Sequence, residues 1–86
     1  MRELDQLNLF PRHLRLTRIN TACNMSRFYS LQIQPDLFGG YTLIKEWGRI
    51  GSGGRIHHET FEHEVQAMDT LLAFECRKRR RGYCAS

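Results

Sequence analysis

The clearest hydrophobic pattern in the chain has period two. Over Arg27 to Gln34 (RFYSLQIQ), Tyr29, Leu31 and Ile33 fall on one side of an extended backbone, and Phe28, Ser30, Gln32 and Gln34 on the other. That alternation predicts a half-buried strand. His13 to Asn20 carries a weaker version, with Leu14 and Leu16 alternating with Arg15 and Thr17. Ile19 breaks its register, so a bulge or strand end is expected near Arg18. Asn20 to Ser26 is small and polar and reads as the loop of a hairpin. Pro35-Asp36-Leu37-Phe38-Gly39-Gly40 is turn chemistry. Tyr41 to Ile50 resumes the alternation, with Tyr41, Leu43, Lys45, Trp47 and Arg49 on one side. Gly51-Ser52-Gly53-Gly54 reads as a turn that needs positive φ, and Arg55 to Glu59 as a returning fourth strand.

The period changes after Thr60. Thr60 is a suitable helix N-cap, and Glu62 and Glu64 then occupy the first turn, where the helix dipole favours negative charge. Phe61, Val65, Met68 and Leu72 form an apolar stripe that Leu71 and Phe74 widen, which predicts an amphipathic helix of about five turns. Arg77 to Arg81 make its last turn and Gly82 ends it. The expected fold is α+β: a small antiparallel sheet of about four to five strands with one long helix packed on one face. It spans residues 13–86, after an N-terminal arm, 1–12, in which Phe10-Pro11 interrupts regular structure.

With 86 residues, the chain makes one small domain with little room for a deep enclosed pocket. A hydrophobic fraction of 41% and a charged fraction of 26% are ordinary for a folded domain. No apolar run reaches about 18 residues, so no membrane span is expected. Met1 to Gln6 carries acids and lacks the apolar segment of a secretory signal. The expected location is cytoplasmic. Cys23, Cys76 and Cys84 are odd in number and scattered, which fits free thiols better than a disulfide framework. The net charge of +4 is concentrated: five of the thirteen Lys and Arg are consecutive, Arg77-Lys78-Arg79-Arg80-Arg81. Such a cluster suits a polyanionic partner such as nucleic acid; it also suits a helix end answering its own dipole.

The chemistry of catalysis is missing from the sequence. Ser26, Ser30, Ser52 and the cysteines stand in no nucleophile-elbow pattern. Gly51-Ser52-Gly53-Gly54 lacks the Lys and the following Ser/Thr of a phosphate-binding P-loop. His57, His58 and His63 do not have zinc-ligand spacing. His57 and His58, adjacent on a strand, point to opposite faces, one solvated and the other partly packed. No metal, no cofactor and no enzymatic activity are expected.

One stretch remains distinctive. Trp47 is the only tryptophan and is followed at once by Gly48 and Arg49. A ring of this size is either core at the end of a hairpin strand or part of a contact surface for a sugar, base or phosphate.

At Trp47-Gly48-Arg49 the chain resembles the WGR domain family, named for that tripeptide, which occurs in poly(ADP-ribose) polymerases and as small stand-alone or fused bacterial domains. The likeness extends to Asn24 through Gln32, with its Asn, basic residue, aromatic pair and Gln. It continues through Ile50-Gly51 and Gly54, Phe61 and Ala67, and Lys78 with Gly82-Tyr83, covering roughly His13 to Tyr83. The resemblance implies a sheet with a packed helix and a non-enzymatic DNA-binding module, directed at strand ends or nicks with low sequence preference. Its implied contacts are Trp47, Gly48, Arg49 and Arg27, with Asn24 nearby; the Arg77–Arg81 run adds to them from its charge. The alternative reading is a protein-interaction module that docks on a larger partner through the same face or through Leu4 to Phe10.

Overall fold

The computed structural model describes residues 13–85; the expected arm, and with it Leu4 to Phe10, lies outside them. The elements run β1 (His13–Asn20), a short 3-10 turn (Thr21–Cys23), β2 (Met25–Pro35), β3 (Tyr41–Arg49), β4 (Arg55–Phe61), helix α1 (Glu64–Arg80) and β5 (Cys84–Ala85). The first four strands form an antiparallel meander. The chain then crosses one face as α1 and adds β5 beside β1, giving the sheet order β4-β3-β2-β1-β5. A helix of 17 residues is ~25 Å long, enough to span the four strand spacings of ~4.8 Å it must cross. The expected α+β layout is the observed one.

Period two decides what faces the helix. Tyr29, Leu31 and Ile33 of β2 lie in register with Trp47, Lys45 and Leu43 of β3, and Leu31 and Tyr29 with Leu14 and Leu16 of β1. Leu31, Ile33 and Leu43 meet Ala67 and Leu71 of α1 in the core, with Met68, Leu72 and Phe74 packed around them. Burial of these apolar side chains contributes on the order of 1.5–3 kcal/mol for each large one.

Four local expectations change. The strand β1 runs unbroken through Ile19, which pairs with Ser26; its side chain simply lies on the open face, where it is exposed. Thr60 does not cap the helix and Phe61 does not open it. Both continue the β4 ladder, opposite Thr42 and Tyr41, because pairing with β3 satisfies their backbone groups and lets Phe61 pack against the core. The N-cap is His63, whose N–H donates to Gln66 Oε1 at 3.1 Å, so Glu64 but not Glu62 occupies the first turn. With this start, Ala67 and Leu71 take the buried stripe and Val65 points outward, exposed. In the glycine turn only Gly51 has positive φ (+90°). Gly54 is required for space instead: a Cβ there would lie 2.5 Å from the Trp47 carbonyl oxygen and 3.1 Å from Phe28 Cζ.

The helix ends as its sequence predicts. Gly82 takes φ +97°; its N–H donates to the Arg79 carbonyl (3.0 Å) and the Tyr83 N–H to the Lys78 carbonyl (3.1 Å). This pair of bonds is a Schellman motif. It reverses the chain, buries Tyr83 under the end of α1, and delivers Cys84 and Ala85 to the edge of β1.

Candidate nucleic-acid interface

The helix leaves one end of its sheet face uncovered, and register fills that end with arginines. Arg18, Arg27 and Arg49 stand opposite one another on β1, β2 and β3. Two residues inward, Arg55, Trp47, Tyr29 and Leu16 form the next row on the same face, across four strands. Lys78 and Arg81 reach the same space from the end of α1, and together these residues, without the buried Leu16, wall an open cleft of about 750 Å³. Among the described residues, six cations line it and no carboxylate does.

Its floor is aromatic, and Tyr29 is the centre. The Trp47 ring lies nearly parallel to Tyr29, at 15° and 5.7 Å between centroids. Phe74 and Tyr83 meet Tyr29 at tilted angles, at 5.1 Å and 5.7 Å. Lys78 Nζ sits 4.3 Å from the centre of the Tyr29 ring, a cation–π arrangement. Burial among these rings lowers the Lys78 pKa, Tyr83 opposes that shift, and Arg81 and Arg77 add to it. A second cation–π contact, Arg15 over Phe28 at 4.7 Å, belongs to the opposite sheet face.

The Trp47 ring is half-buried, stacked on Tyr29 and bordering the cleft. Gly48 also lines the cleft, and its missing Cβ has a second reason: a Cβ there would stand 3.0 Å from Gly54 Cα. Arg49 is held by Asn24, Nη1 donating to its carbonyl and Nη2 to its Oδ1, both at 3.3 Å. Asn24 can accept both because it takes a left-handed backbone (φ 50°) after the 3-10 turn. Asn24 thus orients Arg49 and is not itself among the cleft-lining residues.

The basic run divides. Lys78 and Arg81 line the cleft; Arg77, Arg79 and Arg80 do not. Arg79 pairs with Glu75 at 2.8 Å one turn back, and Arg77 lies over Phe74 at 5.4 Å. Arg18 and Arg55, with Tyr29 and Tyr83 beneath, are the cleft residues that local pattern did not single out. Strand pairing would have found the two arginines, since the odd-numbered face of β2 extends to them across the ladders.

Among the described residues, no three of His, Cys, Asp and Glu gather closely enough to hold a metal ion. His57 and His58 do lie on opposite faces, and both are exposed. Among the described residues no helix is long and apolar enough to cross a membrane.

The WGR domain family model matches residues 12–86. An uncharacterized protein of Sinorhizobium fredii, y4dW, is 38% identical over 73 residues, which cover 85% of this chain and 36% of that protein. The chain thus spans about a third of the length of the curated relative it matches. No solved structure matches it.

Proposed function

Since the chain belongs to the WGR domain family, a nucleic-acid-binding type of module in proteins related to poly(ADP-ribose) polymerases, we propose that it binds DNA at strand ends or nicks, with low sequence preference and without catalysis. The observation that carries this reading is the cleft: six cations without a carboxylate, over a floor of Tyr29, Trp47 and Tyr83. Guanidinium groups neutralise phosphates whatever the sequence, and counterion release drives the affinity. Aromatic rings accept a sugar or base at low sequence cost. A strand terminus can enter this open cleft at the end of the sheet face. Arg49, already oriented by Asn24, binds anions with little ordering cost.

The test is fluorescence-anisotropy binding to labelled nicked, blunt-ended and single-stranded DNA at low and moderate salt, with Arg49→Ala alongside. Tighter binding to ends or nicks, falling steeply with salt and lost in the variant, is the expected result. Salt-insensitive binding, or none at low salt, overturns the reading.

A second reading, a protein-interaction module for a larger partner, has one observation in its favour at the opposite end of the sheet. The β2–β3 turn presents Leu37 and Phe38 at 95% and 94% exposure. Asp36 Oδ1 holds the turn by accepting from the Phe38 and Gly40 N–H groups (2.7 and 2.9 Å). A partner that survives nuclease treatment and is lost in a Leu37→Ser/Phe38→Ser variant supports this reading; an unchanged partner profile in that variant removes it.

A further inference from the structure

Trp47 is a wall of two hollows. Besides the cationic cleft, it lines a smaller hollow of about 270 Å³, together with Tyr29, Lys45, His57 and Phe74. The two share Tyr29 and Trp47 but differ in chemistry. The smaller one holds no arginine, and its walls are three aromatic rings and an imidazole. Its one ammonium, Lys45 Nζ, is already engaged, 4.0 Å from the Glu59 carboxylate and 5.0 Å from the centre of the Phe74 ring. This is poor chemistry for a phosphate and good chemistry for a flat, neutral, polar-edged ring. Its volume equals that of about nine waters, room for one base.

The two hollows adjoin along the stacked Tyr29–Trp47 pair. On β4, Arg55 of the cleft is paired with Trp47, and His57 of the smaller hollow with Lys45. A chain with its phosphates among the arginines can therefore lay its last base in the adjoining hollow, beside His57.

We propose that this hollow seats a single unpaired nucleobase next to a strand end. The preferred ligand is then a nucleic-acid end with at least one unpaired nucleotide rather than a flush end. The inference rests on the nucleic-acid reading of the cationic cleft and adds to it the state of the terminal base. Stacking supplies the gain, and Lys45 offers a donor to the base edge.

The experiment compares anisotropy binding of three duplexes: blunt, with a one-nucleotide overhang, and with the same overhang abasic, each tested with 5′ and 3′ polarity. The base-bearing overhang of one polarity should bind about fivefold to a hundredfold tighter than its abasic counterpart, the span of base–aromatic stacking. His57→Ala, at an exposed position of β4, should narrow that ratio. Equal affinity for base-bearing and abasic overhangs of both polarities overturns the inference and leaves the DNA-binding reading standing. Failure of all three duplexes to bind overturns both.

Discussion

Across the β2–β3 ladder Arg27 lies directly opposite Arg49, and across the β1–β2 ladder the same Arg27 lies opposite Arg18. Like charges facing each other on adjacent strands are destabilising by up to about 1 kcal/mol a pair. Folding gains nothing from this row, whereas a bound polyanion would relieve it. Arg27→Gln is therefore expected to raise the melting temperature by about 2–4 °C while weakening DNA binding. It should also flatten the plot of log affinity against log salt by about 0.7–0.9. Melting curves and a salt titration check both signs; a variant that melts lower and binds unchanged contradicts the account.

Trp47 both stacks on Tyr29 and borders the cleft. Its pairing with Tyr29 is worth about 0.5–1.5 kcal/mol beyond the area it buries. Trp47→Ala should cost about 1–2 kcal/mol, short of the ~3–5 kcal/mol of a fully buried large aromatic. Thermal unfolding should show a drop of about 5–15 °C, with most of it restored in Trp47→Phe. A loss as large as that of a buried core ring would mean that the indole is structural alone.

Lys78 is the one cleft cation able to lose its proton, since arginines stay charged. Burial among Tyr29, Phe74 and Tyr83 lowers its pKa from the ordinary value of 10.5. In the alkaline window between the lowered value and 10.5, the unfolded chain holds this proton more tightly than the folded one. Stability attributable to Lys78 therefore rises with pH there, while anion affinity falls. Lys78→Met should lose both slopes and bind DNA more weakly at neutral pH. Binding and denaturation measured from pH 8 to about 11 check this; parallel pH profiles for the wild type and the variant contradict it.

Much of this was legible before any coordinates, and for a physical reason. Period two assigned Tyr29, Leu31 and Ile33 to one face, and that face is the one the helix covers. Gly82 after a basic run marked the end of the helix correctly. Thr60-Phe61 misled because cap and helix propensities are local, whereas the competing ladder partners, Thr42 and Tyr41, are about twenty residues away. The lining of the cleft was half legible for a similar reason. Trp47, Arg49 and Arg27 stand out in the sequence, but Arg18, Arg55 and Tyr83 join them only through strand pairing and the Schellman reversal. The consecutive run Arg77–Arg81 looked like one feature, yet only Lys78, in the last turn of α1, and Arg81, the residue that caps it, line the cleft.

The glycines after the arginine give the last prediction. Gly48 and Gly54 face each other at the mouth of the β3–β4 hairpin, with Phe28 beneath them. A Cβ on Gly54 would meet the Trp47 carbonyl oxygen at 2.5 Å and its carbonyl carbon at 3.1 Å. Both are backbone atoms that no rotamer change can move aside. Relief requires the two strands to separate just where Trp47 and Arg55 pair, which displaces the indole from Tyr29 and Arg55 from the cleft. Gly53, one residue earlier, has open space around its Cα and no positive φ. Gly53→Ala should therefore be neutral or stabilising by up to about 1 kcal/mol, since alanine reduces the freedom of the unfolded chain. Gly54→Ala should destabilise by about 1–3 kcal/mol and weaken DNA binding even under conditions where it remains folded. Denaturant unfolding and anisotropy on the pair separate the two effects: because both substitutions add the same methyl group to the same turn, a difference between them reports the close approach of the strands. Equal behaviour would mean that the hairpin mouth opens freely and that Trp47 is positioned by Tyr29 alone.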